Sequence, residues 1–382
     1  MTHGRPFRWT RQHLGRLVPS PTTTAPIVRS SDLPPLLQGE YTWDMWPVQE
    51  PDGSPTVVLG AELWMTLSAP VRGHPEDRHD VARLRLLARK GGAWRDLDHV
   101  FPAGASPGSR EWSGSAVRRP DGSVSVYYTA AGHRGEARRS YVQRVFEARA
   151  QLVADGGPIR LDAAEHRELV RPDGRMYLLT DQVDGGPGRI GAFRDPGWFR
   201  DPADGREYLL IAASVPWRGR FMGAVALAAE RAGGWSLRPP LVQAAGINHE
   251  IERPQLVAHA GRYYLFFCMQ RHVFHPPGSA PTGLYGFVAA GMEGPWEPLN
   301  RSGLVIQNPP SEPDQAYAWL VLPDLRVVSF LNYRSSRGSE GLTTVEDARI
   351  RFGGTVAPTL RIALHGATSC IVEHSPAMLG LA

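Results

Sequence analysis

Cysteine is scarce in this chain: 382 residues contain only Cys268 and Cys370. Two widely separated thiols exclude a disulfide scaffold and a cysteine metal cluster. Both stand in apolar, strand-like text, Leu265-Phe266-Phe267-Cys268 and Ser369-Cys370-Ile371-Val372, and read as buried small hydrophobes, with one long-range disulfide left open. Long apolar runs are missing as well. None approaches the roughly 20 residues of a membrane-spanning helix. Met1 to Pro34 is polar and Arg-rich, without the roughly 7 to 15-residue apolar stretch of a secretory signal. Charge of one sign is not concentrated: the formal net charge is +4, and arginines are scattered through turns such as Val117-Arg118-Arg119-Pro120-Asp121-Gly122. The expectation is a chain that binds neither nucleic acid nor membrane.

What is abundant points to turns and short strands. The chain has 41 Gly, 34 Pro, 11 Trp and 11 Tyr, and 42% of its residues are hydrophobic, enough for a substantial core. Residues 1–37 read as an extended lead-in and 38–382 as one folded domain. Runs of β character recur at 56–67, 81–88, 112–117, 123–130, 207–215, 222–229, 255–259, 262–268, 283–290, 317–322, 326–332 and 358–364. Hairpin signals separate several of them: Asp121-Gly122, Asp204-Gly205 and Gly261. Helical text is scarce, and Leu161 to Leu169 is the best candidate for a short helix. Many hairpins without a composition break fit an all-β fold, either a propeller or a pair of sandwiches.

Four segments combine acids, arginines and aromatics beyond what folding requires: Trp43-Asp44-Met45-Trp46-Pro47, Glu111-Trp112-Ser113-Gly114-Ser115-Ala116, Phe193-Arg194-Asp195-Pro196 and Asn248-His249-Glu250-Ile251-Glu252-Arg253-Pro254. Sugar transfer through a covalent intermediate needs a carboxylate nucleophile and a second carboxyl that protonates the leaving oxygen, about 5 to 5.5 Å away when configuration is retained. Asp44 lies between two indoles on which a sugar ring can pack, although a turn acid beside core tryptophans would read the same. Arg194 beside Asp195 keeps that acid ionised or forms a structural ion pair. The similar Arg200-Asp201-Pro202-Ala203-Asp204-Gly205 reads as a turn. Glu250 and Glu252, two apart, share one face of an extended segment, so either repulsion and burial hold one of them partly protonated or the two form a solvated acidic edge.

In this order the segments resemble glycoside hydrolase family 68, the sucrose-splitting levansucrases, inulosucrases and β-fructofuranosidases. Trp9-Thr10-Arg11, Pro239-Pro240-Leu241-Val242, Gly283-Leu284-Tyr285-Gly286-Phe287, Gly303-Leu304-Val305, Gln315-Ala316-Tyr317 and Gly353-Gly354-Thr355-Val356-Ala357-Pro358-Thr359 extend the resemblance along nearly the whole chain, in the manner of the compact Gram-negative members. It implies a five-bladed β-propeller with a central active-site pocket. By motif, Asp44 looks like the nucleophile, Asp195 the transition-state stabiliser and Glu252 the general acid/base. Trp43, Trp112 and Ser113 fall where the family lines the fructosyl subsite. Arg194, Glu250, Arg253 and Tyr317 fall where it holds the glucosyl unit or orients the acid/base. No cofactor is implied, and the partners are sucrose and fructosyl acceptors of a monomer. Some compact relatives leave the cell without a cleavable signal, so an extracellular and a cytoplasmic location both stay open.

Three departures from the family pattern bear on function. Phe267-Cys268-Met269-Gln270-Arg271 puts Gln270 where the family usually has His or Arg, with Arg271 one residue away. A neutral amide there would weaken acceptor binding and disfavour long polymers. His249 replaces the acidic calcium ligand of secreted Gram-positive members, so no metal is expected there. Met45 replaces a small or polar residue for no reason visible in the sequence. The expected activity is fructosyl transfer from sucrose to sugar acceptors and to water, against two rivals: predominant hydrolysis, and a carbohydrate-binding propeller without catalysis.

Overall fold

The computed structural model describes residues 6–374 apart from 30–32, 34, 156, 158, 181–189, 219 and 335–343. Hairpin-linked antiparallel strands form five units arranged as the blades of a β-propeller, numbered I to V in chain order. Their first strands are Glu40–Gln49, Arg110–Arg118, Phe193–Arg200, Glu252–His259 and Ala316–Val321. Blades I and II are also joined through their first strands, where Val48 and Gln49 pair in parallel with Ala116 and Val117. That junction fuses two blades into one nine-stranded sheet, while the other three remain separate five-stranded sheets.

The hairpins follow the turn signals. Asp121-Gly122 turns Arg110–Arg118 into Ser123–Ala131, and Gly261 turns Glu252–His259 into Arg262–Met269. Gly122 and Gly261 have φ of 83° and 71°, a left-handed conformation that costs glycine little. The Arg200 to Gly205 segment is the loop between Phe193–Arg200 and Glu207–Trp217.

One expectation fails. Leu161 to Leu169 is not helical but lies within the outer strand of blade II, Arg160–Val170, paired with Gln143–Val153. The ladder offered by the neighbouring strand outweighs the helix propensity of Ala-Ala-Glu-His-Arg-Glu-Leu. Cys268 is buried, as expected, whereas Cys370 is half-buried; both are free thiols. Among the described residues no helix is long and apolar enough to cross a membrane.

The N-terminal segment laces blades together. Phe7–Trp9 adds a parallel strand to the edge of blade III. From there Trp9, fully buried, reaches into blade IV, edge-on to Phe267 and Phe287 and tilted against Tyr285. Its Nε1 donates to the Ser302 carbonyl at 2.8 Å. Further along, Ala25 N donates to the Gln307 carbonyl, and Gln315 Nε2 to the Pro26 carbonyl. Removing a fully buried indole leaves a cavity and an unpaired carbonyl. Trp9→Ala is therefore expected to cost about 3–5 kcal/mol, seen as a lower urea midpoint; an unchanged midpoint would show that the N-terminal segment does not join blades III and IV.

Candidate active site

Each first strand carries a register break at a similar point. The shifts fall between Trp43 and Trp46, Trp112 and Gly114, Arg194 and Gly197, Glu252 and Gln255, and Tyr317 and Leu320. A β-bulge disrupts the ladder and re-aims a side chain. At four of the five breaks a non-glycine residue takes a left-handed φ: Asp44 at 51°, Asp195 at 56°, Arg253 at 50° and Ala318 at 55°. Such conformations cost of order 1–3 kcal/mol and persist only where surrounding contacts enforce them. In blade I this separates Asp44 from its neighbours. Trp43 and Trp46 are buried in the main core, and Met45 in a smaller cluster with Trp64, Leu87, Leu322 and Val328. Met45 is thus a core residue.

The five breaks bring the candidate residues together. Ser113 Oγ donates to Asp44 Oδ2. Arg253 Nη1 lies 3.7 Å from Asp44 Oδ1, and its Nη2 donates to the Met45 carbonyl at 3.0 Å. The Arg253 N–H donates to Asp195 Oδ2 at 3.1 Å. Arg194 Nη2 reaches Glu252 Oε1 at 3.0 Å and Glu250 Oε2 at 3.2 Å, while its Nε is 3.8 Å from Asp195 Oδ2. Tyr317 Oη donates to Glu252 Oε2, and the Gln270 side chain also hydrogen-bonds Glu252. Gln270 thus meets Glu252 directly. Trp112 is half-buried, its Nε1 bonded to the His79 carbonyl at 3.0 Å, and the His79 ring stands edge-on to Trp43 at 5.5 Å.

Exposure separates the acids into two pairs. The side chains of Asp44 and Glu252 retain 17% and 20% of their surface, against 9% for Asp195 and 7% for Glu250. The first pair can meet a ligand directly, while the second is largely walled in.

Protonation follows burial and partners. Burial raises Asp195 to about 7, against the pull of Arg194 and with help from the charges of Glu252 and Asp44. Burial likewise raises Glu250 to about 7, opposed by Arg194 and reinforced by Glu252. Glu252 goes the other way. Burial alone would raise it, but the Arg194 charge and hydrogen bonds from Tyr317, Arg194 and Gln270 hold it below the ordinary value. The expectation that one of the two glutamates retains a proton falls on Glu250, because Glu252 has three stabilising partners and Glu250 is held chiefly by Arg194.

One contributor escaped the motif reading. Thr129, fully buried in the second strand of blade II, donates to the Ser113 carbonyl at 3.2 Å and accepts from the Asp195 N–H at 2.9 Å. Asn248 Oδ1 accepts from the Glu250 N–H at 2.5 Å. His249 stacks on His275, with Nδ1 3.0 Å from its Nε2. Among the described residues no group of three His, Cys, Asp or Glu side chains is placed to hold a metal ion. Past the register breaks, Gln49, Ser115, Trp198, Gln255 and Val321 help line a separate cavity of about 520 Å³, which of the candidate residues touches Asp195 and Arg253.

A chain model for the levansucrase/invertase family matches residues 2–223 and 216–377. The chain belongs to glycoside hydrolase family 68. It is 33% identical over 401 residues to levansucrase LscA of Pseudomonas savastanoi pv. glycinea, covering 92% of this chain and 91% of that one. It is 30% identical to the levansucrase of Erwinia amylovora, covering 97% and 95%. The inulosucrase from Halalkalicoccus jeotgali bound to kestose superposes with a TM-score of 0.90 at 36% identity, over 97% of this chain and 96% of that one. The Microbacterium saccharophilum K-1 β-fructofuranosidase catalytic domain shares the fold, with a TM-score of 0.81 at 23% identity over 96% and 90%.

Glu111, next to Trp112, is a further buried acid of this family 68 chain. Its Oε2 accepts from the Leu84 N–H at 2.8 Å, tying blade II to blade I. Burial raises it to about 7, against that hydrogen bond and the charge of Arg83. Between the ordinary glutamate range and about pH 7 the folded chain holds a proton here that the unfolded chain has released. Its contribution to stability therefore falls as pH rises through that window. Glutamine keeps an acceptor for Leu84 and has no charge to bury. Glu111→Gln should match the wild type near pH 5 and melt higher at pH 8; parallel melting curves across that range would count against a buried, protonated Glu111.

Proposed function

We propose that this chain is a retaining fructosyltransferase that splits sucrose, with Asp44 as nucleophile, Asp195 as transition-state stabiliser and Glu252 as general acid/base. The observation that carries the reading is the convergence of these three acids, with Arg194 and Arg253, at the register breaks of blades I, III and IV. Family membership supplies the substrate class: the relatives are levansucrases and an inulosucrase. A lectin has no use for such an assembly.

Asp44 attacks the anomeric carbon of the fructosyl unit while Glu252 protonates the departing glucose oxygen, leaving a fructosyl ester on Asp44. Ser113 fixes the carboxylate rotamer of Asp44. Asp195, held against the Arg253 N–H, stabilises the positive charge that develops on the fructosyl ring. Glu252 then takes a proton from the acceptor, either water or a sugar hydroxyl, and the ester breaks. One chain supplies every residue named, so a monomer suffices. Trp112, half-buried, is the indole that walls the fructosyl side, whereas Trp43 lies in the core behind it; Tyr317, Glu250 and Arg194 govern the position and proton of Glu252. Because Gln270 bonds Glu252 with a neutral amide, acceptors gain no charged contact from it, which favours short fructooligosaccharides over long levan.

Incubation with sucrose should release more glucose than free fructose, the difference appearing as oligosaccharides. Equal amounts without oligosaccharide would overturn transfer in favour of hydrolysis. Asp44→Ala and Glu252→Ala should each lower turnover by at least about 10³-fold; full turnover in either would sink the assigned roles.

The pH dependence follows from the coupled acids. A sugar packed beside Glu252 excludes water and raises its proton affinity, so the proton retained by the Glu250–Glu252 pair shifts toward Glu252, and the Arg194 charge they share balances whichever of the two is ionised. Asp195 ionises and Glu250 loses its proton in the same range, so kcat/KM for sucrose should peak near pH 7 and decline above it. A profile flat up to pH 9 would contradict proton sharing.

A further inference from the structure

The contacts of Thr129 point to a role that motif reading does not assign. A bulge leaves backbone groups without ladder partners, and such groups must be satisfied elsewhere when buried. In blade II the register shift falls between Trp112 and Gly114, so Ser113 is the extra residue, and its carbonyl accepts from Thr129 Oγ1 at 3.2 Å. In blade III the shift spans Asp195 and Pro196, and the Asp195 N–H donates to the same oxygen at 2.9 Å. One hydroxyl therefore serves both breaks. Thr129 sits opposite Trp112 in the ladder and has no exposed surface, so it cannot touch a sugar itself.

From this hydroxyl a closed circuit of contacts runs through the acids. Thr129 holds Ser113, whose Oγ holds Asp44. It also holds Asp195, whose carboxylate accepts from the Arg253 N–H; the Arg253 guanidinium returns to the Met45 carbonyl and faces Asp44. We propose that Thr129 is a positioning residue that fixes the Asp44 nucleophile relative to Asp195 by bridging the bulges of blades II and III. This rests on the sucrose-splitting reading of the site. Valine has the shape of threonine but neither donates nor accepts, so it would release the Ser113 carbonyl and the Asp195 N–H together. Small displacements of reacting groups weigh on the chemical step more than on sugar binding.

Ser115 provides a matched comparison. Its Oγ donates to the Pro196 carbonyl at 2.7 Å and accepts from the Trp198 N–H at 2.8 Å, joining the same two blades on the side of the bulges away from Asp44. Thr129→Val, Thr129→Ser and Ser115→Ala should be compared with the wild type for sucrose turnover and thermal stability. Thr129→Val should lower kcat about 10- to 100-fold while KM for sucrose moves less than about threefold, and Thr129→Ser, which restores the hydroxyl, should recover most of the loss. Ser115→Ala should melt lower than the wild type yet keep its kcat. Should Thr129→Val fail to fold, Thr129→Cys, with its weak donor and acceptor, carries the same kcat comparison. Wild-type kcat in a folded Thr129→Val or Thr129→Cys, or an equal kcat loss in Ser115→Ala, overturns the positioning role. If the wild type itself does not split sucrose, the functional reading fails instead.

Discussion

Arg194 is the interaction on which the site depends. Its guanidinium is buried and lies within 4 Å of Glu250, Glu252 and Asp195. With Arg253 it brings two positive charges to a cluster of four carboxyl groups, counting Asp44. Two cations can balance two carboxylates in a low-dielectric interior, and the other two acids resist ionisation. The division follows burial. Asp195 and Glu250, the more enclosed pair, are pushed up to about 7, while Glu252, bonded by Arg194, Tyr317 and Gln270, is held low. The balance keeps protons beside Glu252, the proposed proton donor. A lysine in place of Arg194 would lack the planar fork that meets several carboxylates at once.

How much of this could be read beforehand depended on the kind of signal. Hairpin turns at Asp121-Gly122 and Gly261 were legible because a left-handed backbone needs particular residues. The four acid-bearing segments were legible because their residue types are poor choices for a core. Leu161 to Leu169 was misread because only a neighbouring strand, distant in sequence, decides between helix and ladder. Met45 gave no sign of its burial, since the bulge at Asp44 breaks the alternation from which a side chain's direction is inferred. Thr129 was invisible for a related reason: within Val124-Ser125-Val126-Tyr127-Tyr128-Thr129 it looks like any strand threonine, and its two partners come from other strands. The protonation order of Glu250 and Glu252 was likewise set by Tyr317 and Gln270, whose approach no local spacing announces.

The recurrence of bulges on all five first strands gives the local strain a common logic. Each break frees backbone groups, and side chains from the next strand or blade satisfy them: Thr66 Oγ1 donates to the Trp43 carbonyl, Thr129 serves Ser113 and Asp195, and Gln255 Nε2 donates to the Trp319 carbonyl. The left-handed φ of Asp44, Asp195, Arg253 and Ala318 is tolerated because the Thr129–Asp195 and Gln255–Trp319 bonds reach across blades and cannot relax one blade at a time.

Hydroxyl groups from adjacent blades complete the arrangement. Ser113 of blade II holds Asp44 of blade I, and Tyr317 of blade V holds Glu252 of blade IV. Each of the two more exposed acids is thus oriented by a neighbouring blade, so their relative placement is a property of how blades meet. Gln270 is different in kind. It stands where Arg262–Met269 leaves the sheet for the short helical turn Arg271–Val273, outside the circuit through Thr129, and reaches Glu252 from the side. Under the proposed roles, a change at that position can therefore alter which acceptor Glu252 serves while the contacts around Asp44 stay in place.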